Sequence, residues 1–220
     1  MKSIKTASGL SAAGAVLLLA APAHAQALDK LYLDVGLGPA ITQDTAIRPP
    51  GVYSDGHMKF DTGIRGAVDV GYNLTPSFAA EFDTGVIWNG IRSIHDNVVS
   101  GGATADTYEV PVLANVVFKP FHGAFQPYIG GGFGVAATVF DLSDPNGVLV
   151  FFGKSFSATD WTYAYQAQAG FKYAFTDNVE AGLAYEFLGT GDHKWQDNGT
   201  QLKTAGFATH AIMATFTWRF

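Results

Sequence analysis

The chain has 220 residues, a formal net charge of −6 at pH 7, 14% aromatic residues, 26 glycines and no cysteine. The acidic balance excludes the basic footprint of a nucleic-acid-binding protein, and the missing thiols exclude disulfides, thiol chemistry and Cys-ligated metals. The length fits one domain, and frequent glycine and aromatic residues are typical of strands that alternate small and aromatic side chains.

The first 25 residues have the pattern of a secretory signal peptide. Lys2 and Lys5 supply a positive segment, Ala12 to Ala21 forms an apolar segment, and Ala23-His24-Ala25 is a small-x-small cleavage site. The apolar segment is shorter than the ~20 residues that a transmembrane helix needs. We therefore expect residues 1–25 to be removed on export, which leaves residues 26–220 as one domain.

Eight segments of the remaining chain alternate polar and apolar residues with a period of two, which is typical of β-strands. In chain order they cover about 31–42, 58–72, 78–89, 107–119, 129–139, 160–175, 179–187 and 208–220. Short turns alternate with long polar connections at about 43–57, 90–106, 141–158 and 190–204. This order predicts an all-β fold, an eight-stranded antiparallel up-and-down barrel.

The last segment and the strand ends indicate which solvent the apolar face meets. The final nine residues place apolar side chains at every second position, with Thr215, Thr217 and Arg219 between them. A soluble lipocalin-like barrel would reverse the two faces, and alternation alone does not distinguish it from a membrane barrel. Aromatic residues near predicted strand ends match the girdles of a transmembrane barrel: Tyr72, Phe78, Phe118, Phe175, Trp218 and Phe220.

Three blocks of sequence carry a family resemblance: 108–115 (YEVPVLAN), 126–134 (QPYIGGGFG) and 165–173 (YQAQAGFKY). They resemble strands four, five and six of the OmpA-like and opacity-protein-like eight-stranded outer-membrane β-barrels, a porin-like family. The resemblance implies a bacterial outer-membrane location, lipids and lipopolysaccharide as surroundings, and no cofactor. The terminal strand with Phe216, Trp218 and Phe220 is similar to the signal that the barrel assembly machinery reads after periplasmic chaperones deliver the chain.

The inward face carries charges that the lumen must enclose. An eight-stranded lumen is just wide enough for side chains, and an isolated buried charge is costly. We expect Arg65 to bridge Asp83 and Glu186 near mid-height. Nearer the short turns we expect the other members of the network: Asp34, Asp69, Glu81, Lys172, Glu180 and Arg219. Their pairing would plug the barrel, and a gated narrow path through the same network is the alternative.

The histidines indicate neither a catalytic nor a metal site. They fall in predicted loops, in a turn or near a strand end: His57, His95, His122, His193 and His210. None has the spaced partners that a nucleophile–base pair or a metal centre requires. The G-x-G-x-x-A pattern at 132–137 lies inside a predicted strand and opens no helix, so it does not indicate a dinucleotide site.

The four long connections offer the largest contact surface, because loops on a rigid scaffold commonly carry binding residues. The third contains the apolar run Val148–Phe152, which we interpret as an extension of the hairpin in preference to a sticky surface for a hydrophobic partner. The sequence predicts a non-catalytic barrel with a structural or surface-contact role and an extracellular ligand at its loops. A narrow channel for small or hydrophobic solutes is the alternative.

Overall fold

The structure is a computed structural model that describes residues 30–48, 56–94, 97–98, 104–144, 155–197 and 200–220. The predicted signal peptide at 1–25, the apolar run Val148–Phe152 and His95 lie outside the described residues. Within the described ranges, no helix is both long and apolar enough to cross a membrane.

The described residues form thirteen strands joined in one antiparallel sheet. In chain order the strands are β1 (Leu31–Thr42), β2 (Thr45–Arg48), β3 (Gly56–Phe60), β4 (Gly63–Asn73), β5 (Phe78–Ile94), β6 (Asn97–Val98), β7 (Thr104–Phe118), β8 (Phe125–Ser143), β9 (Ser155–Ala174), β10 (Val179–Thr190), β11 (His193–Asp197), β12 (Thr200–Thr204) and β13 (Ala208–Arg219).

Eight of these strands close into a barrel, because β1 pairs with β4 on one side and with β13 on the other. The order around the wall is β1, β4, β5, β7, β8, β9, β10 and β13. Following the register once around the wall leads from Tyr32 to Thr42, ten residues further along β1. This stagger tilts the strands, and the closed barrel confirms the predicted fold.

The two faces of the wall have the polarity of a membrane barrel. Leu37, Phe133 and Ile212 are 60%, 77% and 61% exposed on the outside, whereas Arg65 and Asp83 are buried inside. All six aromatic residues predicted for the strand ends lie on the exposed surface. The apolar face therefore points outward, which is the reverse of a soluble lipocalin-like barrel.

The sequence predicts long loops at 43–57, 90–106, 141–158 and 190–204. This prediction is wrong for most of the residues that the structure describes there, because they form strands. There, β5, β7, β8 and β9 extend beyond their predicted ends, and the short strands β3, β2, β12 and β11 continue the sheet from β5. Long connections of outer-membrane barrels face the exterior, so we call this the extracellular extension. Its interior is an apolar cluster, the extracellular core: Ile47, Met58, Phe60, Ile91, Ile94, Ala105, Phe140, Leu142, Phe156, Trp195, Leu202 and Phe207.

The prediction of one continuous strand over 58–72 is also wrong, because the structure divides this segment into β3 and β4. The pairing of β3 with β5 shifts register between Lys59 and Phe60. Met58 and Phe60 both face inward in β3, whereas Arg65 faces inward in β4, so the alternation changes phase by one residue across Asp61 and Thr62. Phe60 packs against Phe207 with 5.3 Å between ring centroids, and Asp61 binds Arg92 on the exposed surface.

The orientation of the barrel predicts which positions can be labelled from outside the cell. The chain has no native cysteine, so only an introduced cysteine reacts with the label. Gln201→Cys in β12 should react with a membrane-impermeant maleimide on intact cells, because Gln201 is exposed on the extracellular extension. Gly123→Cys, in a short turn with open space around the added side chain, should react only after the outer membrane is permeabilised. The opposite labelling pattern would invert the assigned orientation.

Candidate functional site

Arg65 is the central cation of the barrel interior and is 1% exposed. It projects from β4, and its Nε lies 2.7 Å from Oε2 of Glu186 on β10. Its Nη2 lies 3.2 Å from Oδ2 of Asp83 on β5 and donates a 3.0 Å hydrogen bond to Oε1 of Gln166 on β9. The guanidinium group therefore spans the lumen and connects side chains from four strands of the wall.

The partners of Arg65 are also held by one another. Gln166 Nε2 donates a 2.8 Å hydrogen bond to the same Asp83 oxygen, and Asp83 is fully buried. Buried Glu109 on β7 is attracted electrostatically to Arg65 as well. Hydrogen bonds to a buried ion pair offset part of the cost of burying it, so the contacts of Gln166 and Glu186 help to hold Arg65 in the lumen. We call Arg65, Asp83, Gln166 and Glu186 the central layer.

A second group of polar contacts lies nearer the short turns. Lys172 binds Asp34 through an ion pair. Tyr32 donates its hydroxyl to Oε1 of Glu81 at 2.6 Å, and Gln168 Nε2 donates to Oε2 of Glu81 at 2.9 Å. The carboxylates of Asp34 and Glu81 are thus each matched with a donor from another strand, which offsets the cost of burying them.

The mouth at the short-turn end carries a third group. Arg219 Nη2 lies 2.5 Å from Oε1 of Glu180 and 3.0 Å from Oε1 of Gln126. Gln126 Nε2 donates to Oε1 of Glu180 at 3.2 Å, which closes the triangle. Lys119, just beyond β7, donates to Oδ1 of Asn73 at 2.9 Å.

The structure brings together most of the predicted interior charges, in the combinations Arg65 with Asp83 and Glu186, Asp34 with Lys172, and Glu180 with Arg219. Asp69 lies in register with Asp34 and Asp83 but forms no hydrogen bond or ion pair among the described residues.

Sequence reasoning missed several interior partners. The sequence does indicate that four of them face the lumen, because they lie on predicted polar faces: Glu109, Lys119, Gln166 and Gln168. Tyr32 has no such signal, because a tyrosine ring fits the apolar face as well as the polar face.

The predicted C-terminal signal residues lie together on the outer wall. Phe216, Trp218 and Phe220 are 45%, 46% and 53% exposed, and all three are near the short-turn end. The Phe220 amide donates to the Leu31 carbonyl at 3.2 Å, so the last residue is tied to the first strand of the barrel.

His193 is a correction to the sequence analysis, because it is fully buried in β11 and not a polar loop residue. Its Nε2 lies 3.1 Å from Oγ1 of Thr190, and its Nδ1 lies 3.5 Å from Oδ2 of Asp160. Burial lowers the pKa of His193, and the charge of Asp160 opposes that shift. Trp195 stacks on the imidazole ring with 4.8 Å between centroids.

This hydroxyl–imidazole–carboxylate series has the order of a catalytic triad, but its environment is that of a structural contact. The Thr190 hydroxyl already accepts a 2.9 Å hydrogen bond from the Phe207 amide, and the indole covers His193. A nucleophile must be free to attack a substrate and reachable by it. The series therefore anchors the β11–β12 hairpin to β9 and β10.

The other described histidines stand apart from such a series. His57 is exposed on β3, and His122 lies in a short turn with its Nε2 3.2 Å from Oγ of Ser77. His210 lies on the outer wall, 2.7 Å from the Tyr185 hydroxyl and 2.8 Å from Nε2 of Gln43. Within the described ranges, no three His, Asp or Glu side chains are grouped to hold a metal ion.

Comparisons with known proteins agree with this architecture. The family model described as "Outer membrane protein beta-barrel domain" matches residues 11–220. A search of curated proteins finds no match.

Among solved structures, the chain is similar to the outer membrane protein OprG from Pseudomonas aeruginosa, with a TM-score of 0.58, 17% identity, and 87% of this chain and 97% of that chain covered. For AlkL in lipid bilayers the TM-score is 0.53 and the identity 14%, with coverage of 91% and 96%. For the outer membrane protease OmpT from Escherichia coli the TM-score is 0.52 and the identity 10%, with 88% of this chain and 97% of that chain covered. At these identities the likeness concerns the fold alone.

Proposed function

This chain belongs to the outer membrane protein β-barrel domain family and lies in the bacterial outer membrane, and we propose that it serves there as a structural and surface-contact protein without catalytic activity. Its surroundings are outer-membrane lipids and lipopolysaccharide, and it reaches them through periplasmic chaperones and the barrel assembly machinery. Residues 1–25 act as the export signal, and residues 26–220 remain in the mature protein.

The observation that carries the proposal is the central layer. Arg65 fills the lumen at mid-height with partners on three other strands. A solute could pass only if Arg65 left Glu186, Asp83 and Gln166, and that would leave buried carboxylates without a cation. Removing one partner of a buried ion pair costs about 3–5 kcal/mol, so the closed arrangement dominates.

The extracellular extension supports the surface-contact part of the proposal. Its interior is the extracellular core, whereas the outward side chains of the β11–β12 hairpin are polar and exposed: Lys194, Gln196, Gln201 and Lys203. A rigid, apolar-cored sheet holds these side chains in place, and a preorganised surface loses less entropy on binding than a mobile loop. The hairpin is therefore the contact surface that we propose for an extracellular ligand.

A non-catalytic role is favoured by the state of the histidines. The triad-like series at His193 is buried, and the outer-wall His210 is bonded to Tyr185 and Gln43. OmpT is a protease by its name, but its 10% identity to this chain carries only the fold. Incubation with lipopolysaccharide or with peptide substrates should leave their masses unchanged.

A narrow channel remains the second candidate because one observation favours it. Carboxylates outnumber basic side chains on the inner face of the barrel wall: Asp34, Asp69, Glu81, Asp83, Glu109, Glu180 and Glu186 against Arg65, Lys119, Lys172 and Arg219. Such a lining would favour cations along any path that opened.

Solute flux separates the two candidates. Proteoliposomes loaded with a small hydrophilic fluorophore should leak no faster than empty liposomes if the central layer is closed. Uptake of a hydrophobic solute by the same vesicles should also equal that of protein-free vesicles. Protein-dependent flux of either solute would favour the channel.

Removal of the terminal aromatic ring tests the proposed assembly signal. Phe220→Ala should reduce the amount of barrel in the outer membrane and leave precursor or degraded chain in the periplasm. Phe175→Ala is the matched control, because Phe175 is also an exposed phenylalanine at the same end of the barrel. Equal outer-membrane amounts and equal heat-modifiable gel mobility for the two variants would contradict the assignment.

A further inference from the structure

A cavity of about 490 Å³ opens at the short-turn end of the barrel. We call it the periplasmic vestibule. It lies between the β4–β5 turn, the β7–β8 turn, the start of β1 and the end of β13. Its charged lining is basic, with Lys30, Lys119 and Arg219, and His122 adds an imidazole. No carboxylate belongs to the described lining, although the chain as a whole is acidic.

Lys119 is the most buried cation of the vestibule. Its Nζ donates to Oδ1 of Asn73 at 2.9 Å and lies 4.4 Å from the centroid of the Tyr32 ring. Both partners are neutral, and Lys119 forms no ion pair among the described residues. Burial and the nearby cations Lys172 and Arg219 lower the pKa of Lys119 to about 8, with partial opposition from Glu81 and Glu180. A bound anion would relieve the repulsion.

Lys30 supplies a second uncompensated charge to the lining of the vestibule. Its carbonyl accepts hydrogen bonds from the backbone amide and the side-chain amide of Asn73, at 2.9 and 3.3 Å. Asn73 therefore contacts both the Lys30 backbone and the Lys119 ammonium group, which brings the two residues to the same mouth of the barrel. The side chain of Lys30 is exposed and has no ion-pair partner within the described part of the chain.

Arg219 contributes little free charge, because Glu180 already neutralises it. A neighbouring cavity shares Arg219 and His122 but is also lined by Glu180 and Asp177, so its charge is mixed. The excess positive charge is thus confined to the Lys30 and Lys119 side of the mouth.

We propose that the periplasmic vestibule binds an oxyanion, with Lys119 and Lys30 as its charged donors. A phosphate group is the ligand chemistry that fits, because lysine ammonium groups bind phosphate as point charges and form strong, charge-assisted hydrogen bonds. The phosphate belongs either to a free anion of the periplasm or to a lipid headgroup. The site is separate from the extracellular contact surface and from the central layer.

Calorimetric titration tests the proposal directly. Inorganic phosphate, added to the folded protein in neutral maltoside micelles at pH 7, should bind saturably with one site per chain. Lys119→Gln should weaken binding about tenfold, because a hydrogen bond to a charged group is lost. Lys30→Gln should also weaken binding, and Lys59→Gln, at an exposed lysine of β3, should leave it unchanged.

The controls keep the result interpretable. Lys30 is exposed, so Lys30→Gln tests the site even if Lys119→Gln fails to fold. Micelles doped with phosphatidylglycerol distinguish the two sources: competition with inorganic phosphate indicates a lipid headgroup, and unchanged affinity indicates a free oxyanion. Absence of saturable binding, or equal weakening by Lys59→Gln, would overturn the proposal.

Discussion

Replacing Arg65 with alanine should lower the free energy of unfolding by about 3–5 kcal/mol and open the lumen to ions. Arg65 is 1% exposed and neutralises both Glu186 and Asp83, so its loss leaves two carboxylates facing an emptied space. Solvent should enter because the alternative is buried, unpaired charge. In planar bilayers the variant should show unitary conductance with a preference for cations, and its thermal unfolding should occur at a lower temperature.

Arg92→Ala is the matched control for this variant. Arg92 also pairs with a carboxylate, Asp61, at 2.8 Å, but the two side chains are 62% and 54% exposed. An exposed pair of this kind contributes about 0–1 kcal/mol, so Arg92→Ala should leave both conductance and melting temperature near those of the parent. If Arg65→Ala conducts and melts like Arg92→Ala, the central layer does not plug the barrel.

Truncation of Trp195 should have a comparably large effect, but confined to the extracellular extension. The indole is fully buried in the extracellular core, and its Nε1 donates to the Thr138 carbonyl at 3.1 Å. Removing a large buried aromatic ring costs about 3–5 kcal/mol, which exceeds what a short hairpin can withstand. In Trp195→Ala, trypsin should cleave after Lys194 and Lys203 much faster than in the parent.

The barrel below should remain folded in Trp195→Ala, because the rings that pack against the indole belong to Phe140, His193 and Phe207 and not to the central layer. Heat-modifiable gel mobility should therefore be unchanged while cleavage of the β11–β12 hairpin increases. Trp161→Ala is the control, since Trp161 is 64% exposed on the outer wall. Protection of the hairpin in Trp195→Ala, or equal cleavage in the two variants, would contradict the assignment of Trp195 as the anchor of the extension.

The membrane-spanning wall could be predicted because each strand follows one simple rule over its whole length. Period-two alternation assigns Phe133 outward and Asp83 inward with no knowledge of tertiary contacts. The positions of Arg65, Asp83 and Glu186 along their strands were enough to predict that they meet. Closure of the barrel then brings these three residues, which lie on separate strands, together at the same height.

The extracellular extension could not be predicted in the same way. Its core residues, such as Ile47, Met58 and Trp195, are scattered through separate polar connections, and each strand there is only a few residues long. Alternation over so few residues is a weak signal. The change of phase between Phe60 and Arg65 also reverses the faces of β3 relative to the prediction, and only the separate pairings of β3 and β4 with β5 reveal it.

The candidate sites also differ in how far the sequence predicts them. Ion pairs of the lumen follow from charge and height, whereas the glutamines that bind Asp83 and Glu81 are uncharged and give no such signal. The periplasmic vestibule depends on where two turns and two chain segments meet at the barrel mouth. Lys30 and Lys119 are 89 positions apart in sequence, and no local pattern connects them.

Single-channel recording of the refolded parent protein tests the central claim most directly. With the central layer closed, planar bilayers that contain the protein should show no unitary current steps above those of the bare membrane. Arg65→Ala, refolded and added in the same way, should show them, which demonstrates that the procedure inserts this barrel into the bilayer. Stable open steps in the parent protein, equal to those of the variant, would contradict the closed barrel and favour the channel.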